Sequence, residues 1–286
     1  MIYNRENIRI GLLIVFLITS LFIWSVVLRS ERAELTVAFL DIGQGDAIFI
    51  ESPSGNQMLI DGGPSSTILQ SLGKVMSFYD RSIDVMVATH PDKDHIGGLP
   101  DILRRYTVGE ILRSGAHNDT NIFREFDTTV STMHIATRLA RRGMVIDFGD
   151  GVYAEILFPD HDVSRVTDTN DASIVIRIVY GDTEFMLTGD APEKIENHLV
   201  ARDGLNLKSD VLKVGHHGSK TSSSELFLAA VSPQYAVISA GEDNSYGHPH
   251  QEVLSRFIER GSTIVSTIES GTIVFHSNGE ILTIKK

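Results

Sequence analysis

The sequence predicts an α/β protein, a four-layer αββα sandwich preceded by one transmembrane helix. Three observations lead there. An apolar run, Ile10 to Leu28, carries no charge and precedes everything else. From Leu35 onward, short β-type runs alternate with amphipathic segments in both halves of the chain, which places helices outside and two sheets face to face. Several apolar runs end in Asp or His beside Gly, the way an α/β scaffold projects polar groups into a cleft at its strand ends.

At about 1.5 Å per residue the first run spans the roughly 30 Å hydrocarbon core of a membrane. It closes with Ser25-Val26-Val27-Leu28-Arg29, without the small-residue pattern of a cleavage site. Residues 1–34 are therefore expected to be an uncleaved single-pass anchor in the cell membrane, with its helix at about 10–28 and Trp24 near an interface. Arg5 and Arg9 on one side balance Arg29 and Arg32 on the other, so charge orients it weakly. Residues 35–286 are expected to form one domain on the extracytoplasmic side.

Within that domain, Leu35 to Leu40, Ala47 to Glu51 and Gln57 to Ile60 read as strands, the last two joined by the turn Ser52-Pro53-Ser54-Gly55. Asp61-Gly62-Gly63-Pro64 breaks the chain before a helix at Thr67 to Phe78. A strand at Ile83 to Ala88 and a helix at Ile96 to Tyr106 flank a polar turn. Ile122, Phe123, Phe126, Val130 and Met133 recur at three and four, and a helix is expected from Ile122 to Arg142. Strands follow at Val152 to Phe158, Ser173 to Tyr180 and Glu184 to Leu187, then a helix at Pro192 to Arg202 with Pro in its first turn. Strand Asp210 to Val214, helix Ser224 to Val231, strand Tyr235 to Ser239 and helix Gln251 to Arg260 come next. Two or three strands cover Thr263 to Ile284.

Composition narrows the chemistry. With 42% apolar residues the chain can fill a sizeable core, and its formal charge is -12. Four Arg and three Glu precede Leu35, so the remainder carries 21 basic and 34 acidic residues. That argues against an extended non-specific grip on nucleic acid, which needs a basic stripe. It leaves open a phosphate-containing substrate held through bound cations. The absence of cysteine excludes a thiol nucleophile, a thiolate zinc cage and disulfides, and does not fix the compartment.

The richest stretch is Thr89-His90-Pro91-Asp92-Lys93-Asp94-His95-Ile96-Gly97-Gly98. Imidazole and carboxylate together suit zinc, manganese or iron. His90 and Asp92 can share one ion, and Asp94 and His95 can face a second. A solvated turn with Asp94 as helix cap is the plainer reading, but it does not account for two histidines in one turn. Further clusters follow strands at Asp61-Gly62-Gly63, Thr188-Gly189-Asp190, His216-His217-Gly218-Ser219 and Gly247-His248-Pro249-His250. A lone Gly-Asp is usually a turn, whereas two histidines between a buried strand and Gly are costly to leave unpaired.

In this order the motifs resemble the metallo-β-lactamase superfamily, and more closely the hydrolase domain of ComEC-type competence proteins. Phe39-Leu40-Asp41-Ile42-Gly43-Gln44-Gly45-Asp46-Ala47, Leu212-Lys213-Val214-Gly215-His216-His217-Gly218-Ser219 and Tyr246-Gly247-His248-Pro249-His250 carry the second likeness, which covers nearly all of Leu35 to Lys286. The resemblance implies two divalent ions, Zn or Mn. His90 and Asp92 would bind one, Asp94 and His95 the other, and Asp190 would bridge them. His217 would complete the metal shell, with His248 as its competitor for that place. Asp61 would orient the ligand turn by hydrogen bonds. His216 would contact the leaving group, with His248 or Lys220 able to share that work, and Asp94 would stand at the catalytic centre. Asp41, Gln44 and Asp46 would line the cleft floor, and Ser219 and Lys220 would meet substrate.

Two departures from the superfamily pattern matter. Asp92 stands where a second histidine is usual. The usual third histidine falls in Thr169-Asn170-Asp171-Ala172-Ser173, which offers Asn170, Asp171 and Ser173. A more oxygen-rich site shifts the expectation toward manganese or a weakly held zinc. The resemblance implies a membrane-anchored two-metal phosphodiesterase or nuclease linked to DNA uptake, in a stand-alone, single-anchor version. Its partners would be the membrane, a phosphodiester such as single-stranded DNA, and the DNA-uptake machinery. Two other readings stand beside it: a hydrolase of another envelope ester, such as a phosphocholine-type decoration or a lactone, and a non-catalytic, metal-stabilised accessory module.

Overall fold

The computed structural model describes residues 5–31 and 34–285. Of the basic residues expected to flank the anchor, Arg32 and the side chain of Arg29 lie outside the described residues. Helix α1 (Arg5–Glu31) carries the apolar run, and its side chains from 5 to 27 are exposed. Arg5–Val27 is long and apolar enough to cross a membrane. Two of its polar residues bond within the helix: the Thr19 and Ser25 hydroxyls donate to the carbonyls of Val15 and Phe22 at 2.8 and 2.7 Å. In hydrocarbon such internal pairing satisfies these two donors.

The first half builds strands β1 (Leu35–Phe39), β2 (Ile48–Glu51) and β3 (Gln57–Ile60), helix α2 (Thr67–Val75) and strand β4 (Ser82–Ala88). Two short helices, α3 (Lys93–Ile96) and α4 (Leu99–Leu103), lead to β5 (Thr107–Arg113), helix α5 (Asn121–Met133) and β6 (Ala136–Leu139). The second half runs through β7 (Val145–Asp147), β8 (Val152–Phe158), β9 (Val175–Tyr180), β10 (Thr183–Leu187), α6 (Glu193–Asp203), β11 (Val211–Lys213) and α7 (Glu225–Val231). It continues through β12 (Tyr235–Ile238), α8 (Gln251–Glu259), β13 (Thr263–Ser266) and the single turn α9 (Thr267–Ser270). Strands β14 (Ile273–Ser277) and β15 (Leu282–Lys285) then return to the first sheet. The first sheet has the order β15-β14-β1-β2-β3-β4-β5-β6 and the second β13-β12-β11-β10-β9-β8-β7.

Side-chain alternation separates the layers. Val37 and Phe39 of β1 enter the core between the sheets, while Ala38 faces the first sheet's helices. Ile48 and Ile50 of β2 point inward, and Phe49 outward. A matching outer core covers the second sheet with Leu199, Phe227, Val231 and Phe257 from α6, α7 and α8. Phe275 joins the sheets, with its ring edge-on to Phe39 and Phe185 at 5.9 Å and to Tyr235 at 5.4 Å. Truncating a buried ring of this kind costs about 3–5 kcal/mol. These layers are the αββα sandwich that the alternation predicts.

Three expectations need correction. The helix expected from Ile122 to Arg142 ends at Met133, where His134 adopts a left-handed cap (φ 57) and Ile135 N–H bonds back to Val130. Residues Ala136 to Leu139 beyond it form β6, an exposed edge strand parallel to β5, so tertiary pairing overrides the local pattern. The helix expected from Ile96 to Tyr106 is divided at Gly97-Gly98, because the Gly98 N–H bonds to the Gly63 carbonyl at 2.9 Å instead of continuing a helical ladder. Strand β7 went unread, being three residues long with little apolar character.

Candidate metal centre

The parallel pairs β3/β4 and β10/β11 end beside one another, with Ile60 opposite Val87 and Leu187 opposite Lys213. The residues that follow each strand emerge at one edge of the sandwich: Asp61, Thr89 and His90 from the first sheet, Asp190, His216 and His217 from the second. The main-chain bond from Ile174 N–H to Thr89 O, 3.1 Å, ties the sheets at this point. Asp61, His216 and His217 all take left-handed backbone conformations (φ 59, 49 and 55). Each such residue costs about 1–3 kcal/mol and persists only where surrounding contacts hold it. Here the chain accepts that cost at three side chains of one cluster.

Three imidazoles converge on Asp190. His95 Nε2 lies 3.3 Å and His217 Nε2 3.4 Å from Asp190 Oδ2, with His216 Nε2 at 3.7 Å. His90, His95 and Asp190 form one group able to hold a cation; Asp94, His95 and His217 form another, and Asp46, Asp190 and His217 a third. The outer nitrogens of the buried rings are committed elsewhere. His95 Nδ1 donates to Asp61 Oδ2 at 2.7 Å, and His217 Nδ1 donates to the Ser239 carbonyl at 2.9 Å. Thr89 donates its hydroxyl to Asp61 at 2.6 Å, so its oxygen is free to accept from His90 Nδ1 at 3.1 Å. The Nε2 atoms of His90, His95 and His217 thus point inward, buried and without a hydrogen-bond partner. Buried polar atoms are otherwise almost always satisfied. Three inward ring nitrogens around a carboxylate, each anchored from behind, are a donor set that fits divalent metal ions.

Electrostatics without metal agree with that fit. Burial opposes a charge on His95, but Asp190 and Asp61 outweigh it and hold the imidazolium pKa well above the usual range. His217 behaves likewise against Asp190 and Asp46. Burial would raise Asp190, yet His217 and His95 hold it well below the usual carboxylate range. Burial and the charge on His95 push His90 down to about 4. In the metal-free chain, protons on His95 and His217 supply the positive charge that Asp190 requires.

The sequence-predicted residues fall into separate places. Asp94 is half-buried, with Oδ2 3.5 Å from His217 Nε2. Its turn is seated by Gly45: the Asp46 N–H bonds to Asp94 O at 3.1 Å, and a Cβ on Gly45 would lie 2.1 Å from that oxygen. Asp92 Oδ2 lies 3.8 Å from His90 Nε2, while its Oδ1 accepts from Thr169 at 2.6 Å and Asn118 at 3.3 Å. Burial raises the Asp92 pKa, and the Thr169 hydroxyl works against it. Ser173, fully buried, lies 3.3 Å from His90 Nδ1 and accepts from the Asp190 N–H at 3.2 Å. The Oδ1 of Asn170 is buried without a hydrogen-bond partner, and its neighbour Thr169 is the residue that reaches Asp92.

The three residues expected along the cleft floor divide. Asp41 is exposed and closes a local turn by accepting from the Gly43 N–H at 3.3 Å. Gln44 accepts from the Gly241 N–H at 3.2 Å. Asp46 is 1% exposed and lies beneath the cluster, paired with Lys213. Sequence reasoning missed Lys213, although a charged residue between apolar neighbours in a buried strand signals an obligatory partner. It also missed Thr89, Ser239, Thr169 and Asn118, whose contacts depend on chain crossings that local patterns do not record.

The rim is built from loops. His248 meets His216 edge-on at 5.6 Å and stacks on Tyr246 at 5.6 Å. Pro249 rests against Gly218, where a Cβ would lie 2.5 Å from the proline ring, and the His250 N–H bonds to Gly218 O. Among the described residues His248 belongs to no cation-holding group, whereas His217 belongs to two. Desolvation, then the charges of His216 and His217, push His248 to about 4. Ser219 is buried and bonds Thr221 at 3.0 Å; Lys220 is exposed.

Comparison with known proteins agrees with this geometry. Residues 40–242 match the family described as the metallo-beta-lactamase superfamily. The chain is 34% identical over 242 residues to competence protein ComA of Neisseria gonorrhoeae, covering 85% of this chain and 32% of that protein. It is 30% identical over 266 residues to ComE operon protein 3 of Bacillus subtilis (strain 168), covering 87% and 34% respectively. The chain thus spans about a third of the length of these relatives. Igni18, a metallo hydrolase from the archaeon Ignicoccus hospitalis KIN4/I, has the same fold at 17% identity, with a TM-score of 0.52 over 84% of this chain and 98% of that one. With its sandwich, its convergent His/Asp cluster and these matches, the chain belongs to the metallo-beta-lactamase superfamily.

Proposed function

We propose that this protein is a two-metal phosphodiesterase, acting on phosphodiesters such as single-stranded DNA in DNA uptake. Residues 1–34 would anchor residues 35–286 to the extracytoplasmic face of the cell membrane. The observation that carries the reading is the set of three buried Nε2 atoms around Asp190, each without a hydrogen-bond partner. Its likeness to competence proteins supports the DNA context. Zn or Mn, when bound, would supply activation of water and positive charge for the anionic transition state.

The chain's own residues would do the rest. His90, Asp92, Asp94, His95, Asp190 and His217 would hold the ions. Asp61, Thr89, Ser173 and Ser239 would fix the ring orientations. His248, with its pKa held near 4, is neutral at neutral pH. Burial likewise lowers His216. Both would therefore hydrogen-bond a leaving group as neutral imidazoles, without delivering a proton as imidazolium.

One observation favours a second reading, hydrolysis of a small envelope ester. A cavity of about 410 Å³ beside His216 is lined by Asp168, Asp171, Glu193 and Lys194. Its acidic wall suits a neutral or cationic substituent better than a run of phosphates. The deciding experiment strips the full chain of metal, reloads Mn or Zn, and assays bis-p-nitrophenyl phosphate and single-stranded DNA beside Asp94→Ala. Metal-dependent cleavage of DNA, lost in Asp94→Ala and falling steeply with salt, is the expected result. Turnover of the small diester alone favours the envelope ester, and ion binding without turnover of either substrate favours the accessory module.

A further inference from the structure

Lys213 is fully buried at the end of β11, where an ammonium is costly unless paired. Its Nζ pairs with Asp46 Oδ2 and lies 3.3 Å from the Gly189 carbonyl and 3.7 Å from Asp190 Oδ1. The two oxygens of Asp190 are thereby divided: Oδ1 faces Lys213, while Oδ2 faces the rings of His95, His217 and His216. Asp46 in turn lies 3.5 Å from His217 Nδ1 and 3.9 Å from His95 Nδ1. Five carboxylates meet in the cluster, those of Asp46, Asp61, Asp92, Asp94 and Asp190, against the ammonium of Lys213. With neutral imidazoles, four formal negative charges remain, which is the charge of two divalent cations.

We propose that Lys213, paired with Asp46, sets the charge of the metal centre to match two divalent ions. The inference rests on the two-ion reading above. Removing one partner unbalances the cluster in opposite directions. Asp46→Asn takes from the ammonium its nearest carboxylate and leaves the cluster one negative charge short. Lys213→Met leaves it one in excess, with Asp46 buried and unpaired. Changing both restores the count without restoring the ion pair. A unit charge close to a divalent ion inside a protein, even at an effective dielectric constant of about 20, shifts affinity by more than about tenfold.

The test uses the purified full chain in detergent, stripped with a chelator and titrated with Mn or Zn by calorimetry, with bound metal counted by mass spectrometry. The wild type is expected to hold two ions. Asp46→Asn should bind the second at least about tenfold more weakly, and the double variant should recover it to within about threefold of wild type. Lys213→Met should keep both ions while its metal-free form melts earlier than wild type. A double variant no better than Asp46→Asn, or one that fails to fold where Asp46→Asn folds, would overturn the proposal while leaving the two-ion reading intact. A wild type holding fewer than two ions overturns both.

Discussion

The floor and the rim of the centre are made differently. The floor (Asp46, Asp61, His95, Asp190, Lys213 and His217) gathers at one edge of the sandwich, is buried, and is held by ion pairs and hydrogen bonds from behind. The rim (His216, Tyr246, His248, His250 and Lys220) sits on loops. Its rings touch mainly one another, and Tyr246 is 65% exposed. Preorganisation belongs to the floor, because a side chain locked by packing and a second hydrogen bond holds its geometry before any ligand arrives. Adaptation to substrate belongs to the rim.

That contrast breaks first at Asp190. Asp190→Ala should lower kcat/KM by more than about a hundredfold, beyond the usual effect of an outer hydrogen-bond partner, and should lose at least one ion on metal analysis. An Asp190→Ala protein that keeps its ions and its turnover of bis-p-nitrophenyl phosphate would remove the floor from the chemistry. Asp61→Asn is the next test. It leaves the size of the side chain but weakens its hold on His95 and Thr89, and metal affinity is expected to fall about 10–100-fold. Unchanged affinity in a chelator competition would show that the ring orientations need no such support.

The floor also has a pH signature once metal is removed. His95 and His217, with pKa values raised above the unfolded value of about 6.5, add stability that is complete below that pH. It is lost as the pH rises through their folded values. Asp190, depressed below about 3.9, adds stability present above that pH and lost only as the pH falls through its folded value. The stripped chain should therefore lose a few degrees of melting temperature as the pH is raised above about 6.5. Metal loading near neutral pH should release protons, read by calorimetry in buffers of different ionisation enthalpy. A melting temperature that rises as the pH is raised above that value would mean that the two imidazoles are neutral in the metal-free fold.

The smallest effects are expected at the rim. Tyr246→Ala should raise KM for single-stranded DNA about fivefold, the low end of what one base–ring stack contributes, and leave a base-free strand of equal charge unaffected. Equal loss on both strands would make Tyr246 a prop for the His248 loop and nothing more.

The legible part of the centre follows the same division. Asp61, Asp190 and His217 were readable because each follows an apolar strand beside glycine, and His90 and His95 because two histidines share one turn after β4; that local grammar survives without coordinates. Lys213 was not, since its partner Asp46 lies far away in sequence and on the other sheet. Asn170 was named in a loop where Thr169 makes the contact, for the same reason: a loop's polar residues look alike until one of them meets Asp92. In the fold, the run from Ile122 to Met133 announced its helix, but the left-handed turn at His134 and the pairing of β6 with β5 were invisible to a pattern that looked only along the chain.

By itself, then, the sequence determined the apolar helix, the strand–helix alternation, the two-sheet sandwich and the identity of the candidate ligands. The first three follow from periodicity; the ligand identities follow from residue chemistry in the turn from His90 to His95 and, for Asp190 and His217, from the resemblance to a known family. Only the tertiary structure decided which oxygen of Asp190 faces the imidazoles, which nitrogen of each ring points inward, and that a buried lysine offsets one of five carboxylates. Those are properties of strand ends brought together across two sheets, and charge and hydrogen bonding act through space, not along the chain.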